Sequence, residues 1–115
     1  MNKKKYVQSD LVGRWVGKFS TSPFGTPHID QCWELTKDNR IIVYSVANAP
    51  NQLYDYEGSW VLNGNIFKAT FVKRTDPSRI YTDSATLVNN YTAMLGTEGV
   101  HINASGAGNF FMKKQ

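Results

Sequence analysis

Leu11-Val12-Gly13-Arg14-Trp15-Val16-Gly17-Lys18-Phe19 alternates along its whole length. Leu11, Gly13, Trp15, Gly17 and Phe19 fall on one face of an extended chain, and Val12, Arg14, Val16 and Lys18 on the other. Side chains of a strand point alternately to its two faces, so a period of two marks a half-buried β-strand. The same rhythm returns downstream. Ile29, Gln31, Trp33 and Leu35 oppose His28, Asp30, Cys32 and Glu34, and Lys37-Asp38-Asn39 supplies a tight turn into an Ile-Val-Tyr-rich strand from Arg40 to Val46.

After a loop over Ala47 to Gln52, Tyr54, Tyr56, Gly58, Trp60 and Leu62 share a face, and Asn63-Gly64 is the strongest hairpin signal in the chain. Phe67, Ala69 and Phe71 then face away from Lys68 and Thr70, and Asp76-Pro77-Ser78 is read as the next turn. Arg79 to Val88 is rich in Ile, Tyr and Thr. Asn89-Asn90 punctuates, Tyr91 to Gly96 is a short strand, and Thr97-Glu98-Gly99 turns into Val100 to Ala104. Gly106-Ala107-Gly108 leads to a last strand from Asn109 to Lys113.

The prediction is an all-β fold, an antiparallel up-and-down meander of eight or nine strands, because short turns pair consecutive strands antiparallel. Closure or strong curling removes the two edges that an open meander would expose. A two-sheet sandwich would need longer crossing connections than the sequence offers. Residues 1–10 read as a basic, polar tail and 11–113 as one domain, with 41% hydrophobic residues and fifteen aromatics to build a core.

The net charge of +4 is a property of the ends. Lys3, Lys4, Lys5, Lys113 and Lys114 account for five positive charges, which leaves the body at −1. A nucleic-acid binder clusters Lys and Arg on one face, and only Lys73, Arg74 and Arg79 approach that, so no nucleic-acid partner is expected. No stretch of about 18 apolar residues is present, so no spanning helix is expected. One cysteine, Cys32, allows no intramolecular disulfide and no cysteine zinc site. With polar residues where a leader needs its apolar run, a cytoplasmic location is the expectation.

Gly13-Arg14-Trp15-Val16 and Gly58-Ser59-Trp60-Val61 echo one another, a glycine beside an indole on a bent strand. Leu11-Val12-Gly13-Arg14-Trp15 resembles the Gly-x-Trp signature of the first strand in lipocalins and the related avidin-like, fatty-acid-binding and nitrobindin-like barrels. Tyr56-Glu57-Gly58-Ser59-Trp60 before Asn63-Gly64-Asn65 is similar to small bacterial lipocalin-like domains. The resemblance implies a lipocalin-like (calycin-type) barrel with an interior cavity. The sequence lacks the disulfide of secreted lipocalins, and the surroundings of His101 do not match the haem-binding pattern of nitrobindin-like proteins, so no cofactor is implied.

With Trp15 facing inward, the expected ligand-binding residues are Trp15, Phe19, Trp33, Tyr54, Tyr56, Trp60, Phe67 and Phe71. They would line a cavity of a few hundred Å³ for a small, partly apolar or aromatic ligand, or else pack it shut. His28, Asp30 and Glu34 share the face opposite Trp33, which places them in solvent and assigns no metal or catalytic residue there. Cys32, on that face without a base beside it, reads as an inert thiol.

Arg79, Tyr81, Asp83 and Ala85 share one strand face. It is assigned to an edge or outer surface, with an inward Arg-Tyr-Asp group as the alternative. The leading expectation is a non-catalytic binding protein. A cofactor-free enzyme needs two ionisable groups facing one pocket, and a homo-oligomeric module with a filled core would use Val12, Val16 and Val43 on the outside.

Overall fold

The computed structural model describes residues 7–22, 24–44, 53–88, 92–99 and 107–115. Eight strands run β1 (Gly13–Phe19), β2 (Ile29–Leu35), β3 (Arg40–Tyr44), β4 (Tyr56–Asn63), β5 (Ile66–Lys73), β6 (Asp76–Val88), β7 (Ala93–Gly99) and β8 (Gly108–Lys114). Each pairs antiparallel with the next, and β8 pairs with β1, so the sheet closes into a barrel. Closure leaves no strand edge unpaired, which is the physical reason a meander of short turns takes this form.

The register divides the strands by parity. Trp15 lies opposite Trp33, Trp33 opposite Val43, Gly58 opposite Phe71, Ala69 opposite Asp83, Asp83 opposite Glu98, and Phe110 opposite Phe19. These positions all face inward. The outward set carries ion pairs, Lys18 with Asp30 at 2.6 Å, Arg14 with Glu34 at 3.8 Å, and Arg40 with Glu57.

One end of the barrel is shut. Gln8–Asp10, inside the stretch read as a tail, forms a 3-10 turn that sets Leu11 fully buried in the end of the barrel. The Trp15 indole Nε1 donates to the Leu11 carbonyl at 2.8 Å, and Lys114 Nζ donates to the Asp10 carbonyl at 2.6 Å. Lys113 and Lys114 are therefore strand residues and not tail. Above this plug Trp33 stacks on Phe67 at 5.6 Å and meets Phe110 edge-on at 5.4 Å, while Trp60 stacks on Phe67 at 6.1 Å.

The turns follow the sequence with adjustments. Asn39 takes φ 65° in the turn after β2, where an Asn tolerates the left-handed region, and its side-chain amide donates to the Trp60 carbonyl at 2.9 Å. Gly64 takes φ 65° in the β4–β5 hairpin. Three assignments change. Asp76-Pro77-Ser78 opens β6, because the reversal occurs at Arg74 and Thr75 and a register shift after Val72 absorbs the extra residues. Thr97-Glu98-Gly99 continues β7, because its ladder to β6 runs on through Asp83, opposite Glu98, to Thr82, opposite Gly99. Val43 faces the interior and is buried, so it leaves the proposed outer set. The strand expected over Val100 to Ala104, and His101, lie outside the described residues.

Gly58 shows how tightly β4 and β5 approach. A Cβ there would sit 1.9 Å from the Thr70 carbonyl oxygen, inside any tolerable contact. Gly58→Ala is expected to cost about 1–3 kcal/mol, the usual penalty for forcing extra atoms into a packed site. The midpoint of urea unfolding checks this, and an unchanged midpoint would contradict the close approach.

Candidate functional site

The opposite end of the barrel is where the aromatic packing stops. Phe19 ends β1, Gln31 lies near the start of β2, Val43 and Tyr44 end β3, Tyr56 begins β4, Phe71 lies near the end of β5, Tyr81 is on the first half of β6, and Glu98 is near the end of β7. With Thr21 these residues enclose a cavity of about 130 Å³. Parity explains why the strand residues converge, since all but Tyr44, which shares the outer parity of Cys32, belong to the inward set.

Of the eight residues expected to contact a ligand, Phe19, Tyr56 and Phe71 line this cavity. Trp15, Trp33, Trp60 and Phe67 are fully buried and pack against one another in the shut half. Tyr54 lies outside the strands, with the Arg74 guanidinium 5.9 Å from its ring centre and Arg74 Nε donating to its carbonyl at 2.8 Å. Among the described residues the interior is thus filled at one end and leaves a cavity at the other, smaller than a few hundred Å³.

Tyr56, Phe71 and Tyr81 form a three-ring wall, with centroid separations of 5.7, 5.4 and 6.0 Å. Such edge and offset contacts fix ring positions through complementary quadrupoles. Arg79 Nη2 donates to the Tyr81 hydroxyl at 3.0 Å from the exposed start of β6. Burial raises the Tyr56 hydroxyl above its ordinary pKa, the neighbouring Tyr81 adding to the effect.

Polar groups interrupt the apolar wall. Gln31 is 3% exposed; its Oε1 accepts from the Trp33 indole at 3.2 Å, and its Nε2 has no acceptor. The Trp60 indole Nε1 likewise has none. Asp83 is 0% exposed, and no donor of the described residues reaches either of its oxygens. Its neighbour across the ladder is Glu98, and two carboxyls bond only through a proton held between them.

Burial therefore pushes Asp83 well above the usual carboxylate range, and the charge of Glu98 pushes it further. Glu98 is raised by burial too, but the hydrogen bond from Asp83 works in the opposite direction. Burial thus favours the neutral form of both carboxyls, more strongly for Asp83 than for Glu98 at the cavity wall. This corrects the outer-surface assignment of the Arg79 face. Tyr81, Asp83, Ala85 and Leu87 point inward, and only Arg79, beyond the register shift, is exposed.

Sequence reading missed Glu98 because Thr-Glu-Gly looks like a turn. It weighed and set aside Asp83, although Ala85 and Leu87 at the same parity are the apolar neighbours expected of an inward face. His28 is exposed, with Nδ1 3.0 Å from the Thr26 carbonyl, and Asp30 and Glu34 pair outward with Lys18 and Arg14. Among the described residues no three His, Cys, Asp or Glu side chains converge to hold a metal ion. Cys32 is buried on the outer face between Val16 and Tyr44.

No family model matches the chain, and no curated protein does. Among solved structures, a crystal structure of a mutant of the fluorescent protein UnaG matches with a TM-score of 0.51 over 95% of this chain and 99% of that one, at 8% identity. The fold is lipocalin-like. At that identity the likeness shows the fold alone. The lipocalin-like interior of this chain differs along its axis, with the three tryptophans buried in the core towards one end and a small cavity carrying Glu98 at the other.

Proposed function

We propose that the chain is a non-catalytic binding protein for one small, partly apolar molecule held at the open end of the barrel. The observation that carries this reading is the cavity itself. It is walled by Phe19, Val43, Tyr56, Phe71 and Tyr81, with the Gln31 amide and the Glu98 carboxyl as its polar tips. An apolar wall with a few placed polar groups is what small-molecule sites are made of.

An apolar cavity of about 150 Å³ holds benzene, so about 130 Å³ takes one ring or a compact branched alkyl group inside the barrel. Guests this small bind with dissociation constants in about the millimolar to micromolar range, because few atoms contribute.

Benzyl alcohol titrated into labelled protein is expected to shift the backbone amide signals of Phe19, Gln31, Tyr56, Phe71, Tyr81 and Glu98 together. Those of the plugged end around Leu35 and Met94 should stay still. No saturable shift at the open end would sink the reading.

The Asp83–Glu98 pair favours a second reading, a cofactor-free enzyme. Two neighbouring carboxyls whose proton affinity burial raises to different degrees are an arrangement general acid–base chemistry uses. The two readings separate on Glu98→Gln, which leaves a neutral guest bound but removes the group that would accept a proton.

A further inference from the structure

The cavity has a polarity that the binding reading does not use. Its wall carries Glu98, and the fully buried Asp83 lies across one rung of the β6–β7 ladder from it. Apart from the proton the two share, nothing among the described residues offsets that charge from within. The exposed Arg79 donates to the hydroxyl of the lining residue Tyr81 at the rim, and Lys73, at the end of β5, lies beside Asp76. An ionised carboxylate in a low-dielectric interior is costly unless it is paired.

Gln31 also lines the cavity and is almost wholly buried; its Nε2 is a donor without a protein acceptor, a need that water or a ligand oxygen meets and an ammonium does not. The wall opposite is Tyr56, Phe71 and Tyr81, whose ring faces attract cations electrostatically.

We propose that the cavity takes a small organic ammonium ion, its ring or compact alkyl body against Tyr56, Phe71 and Tyr81 and its charged nitrogen at the Glu98 carboxylate. The proposal rests on the reading of the cavity as a ligand site and adds the sign of the ligand. An ammonium donates charge-assisted hydrogen bonds to Glu98, which are stronger than those of a neutral hydroxyl. It also supplies the counter-charge that the barrel interior lacks.

Three near-isosteric probes separate the outcomes, benzylammonium, benzyl alcohol and benzoate, each titrated into the intact chain and followed by calorimetry and amide shifts. Benzylammonium is expected to bind about ten- to a hundredfold more tightly than benzyl alcohol, the range a charge-assisted hydrogen bond gives. Benzoate is expected to bind weakest. In Glu98→Gln the ammonium and the alcohol should bind within about threefold of one another, and a cooperative urea transition shows that the variant is folded.

Equal affinities for the three probes in the native chain, or preference for benzoate, would overturn the ammonium assignment while leaving a ligand cavity in place. Failure of all three to bind at the open end would overturn both readings. The ranking in the native chain decides the question even if Glu98→Gln does not fold.

Discussion

Trp33→Ala is expected to destabilise the chain by about 3–5 kcal/mol, the range for emptying a buried aromatic site. Trp33 is fully buried at the centre of the barrel, stacked on Phe67 and edge-on to Phe110. Its ring also lies between the two halves of the interior. Its indole Nε1 donates to Gln31 Oε1, so truncation empties the ring site and strips a buried amide of its partner at once. Losing a partner for a buried polar group adds to the loss of packing.

Trp33→Phe separates the two effects, since it keeps most of the ring contacts and removes only the donor. The phenylalanine variant should lose about 1–3 kcal/mol and the alanine variant the full amount, read as urea midpoints at constant slope. An alanine variant within about 1 kcal/mol of the native chain would mean that the barrel collapses around the vacancy, contrary to the rigid closure that β1 and β8 impose.

The fold was legible because its information is local. Alternation from Leu11 to Phe19 and from Ile29 to Leu35 puts Trp15 and Trp33 on one face, and the observed register sets them directly opposite each other. The turns at Lys37-Asp38-Asn39 and near Asn63-Gly64 needed only the left-handed tolerance of Asn39 and Gly64. Errors arose where a turn-like composition sits inside a long ladder. Asp76-Pro77-Ser78 and Thr97-Glu98-Gly99 are strand because β6 extends over 13 residues and carries both neighbours with it.

The candidate site was half legible. Parity identified the inward aromatics, but which end of the barrel stays open depends on the plug formed by Leu11 and the 3-10 turn before it, a tertiary arrangement with no periodic signature. That plug sends Trp15 and Trp60 into packing and leaves Phe19, Tyr56 and Phe71 to line the space. Asp83 was misplaced for an energetic reason. A carboxylate is almost never fully buried without a partner, so an outward face was the cheaper assignment from composition. The partner that permits burial is Glu98, and it became visible only when the ladder placed it opposite.

That buried pair fixes the second large expectation, a stability that falls as the pH rises. In the unfolded chain Asp83 and Glu98 titrate near the ordinary values of about 3.9 and 4.3. In the folded barrel both are raised, Asp83 well above its usual range. From about pH 4 upward the folded state therefore holds more protons than the unfolded one, and stability declines with pH across that interval. The contribution is fully present below the unfolded values and is lost as the pH passes through the raised ones. Each unit of elevation corresponds to about 1.4 kcal/mol at high pH.

Asp38 and Asp76 act with the opposite sign. Hydrogen bonds from Thr36 and Ser78 lower them, so their small, exposed contributions are lost only as the pH falls through the acid range. They leave the alkaline limb to the buried pair. Asp83→Asn keeps the shape of the side chain, retains a donor for Glu98 and removes the ionisation. It is expected to flatten most of the decline between pH 5 and pH 9 and to exceed the native chain in stability at the upper end. Thermal unfolding of both proteins across that range measures the difference. A variant that keeps the native slope would show that Asp83 is already ionised and solvated in the folded barrel.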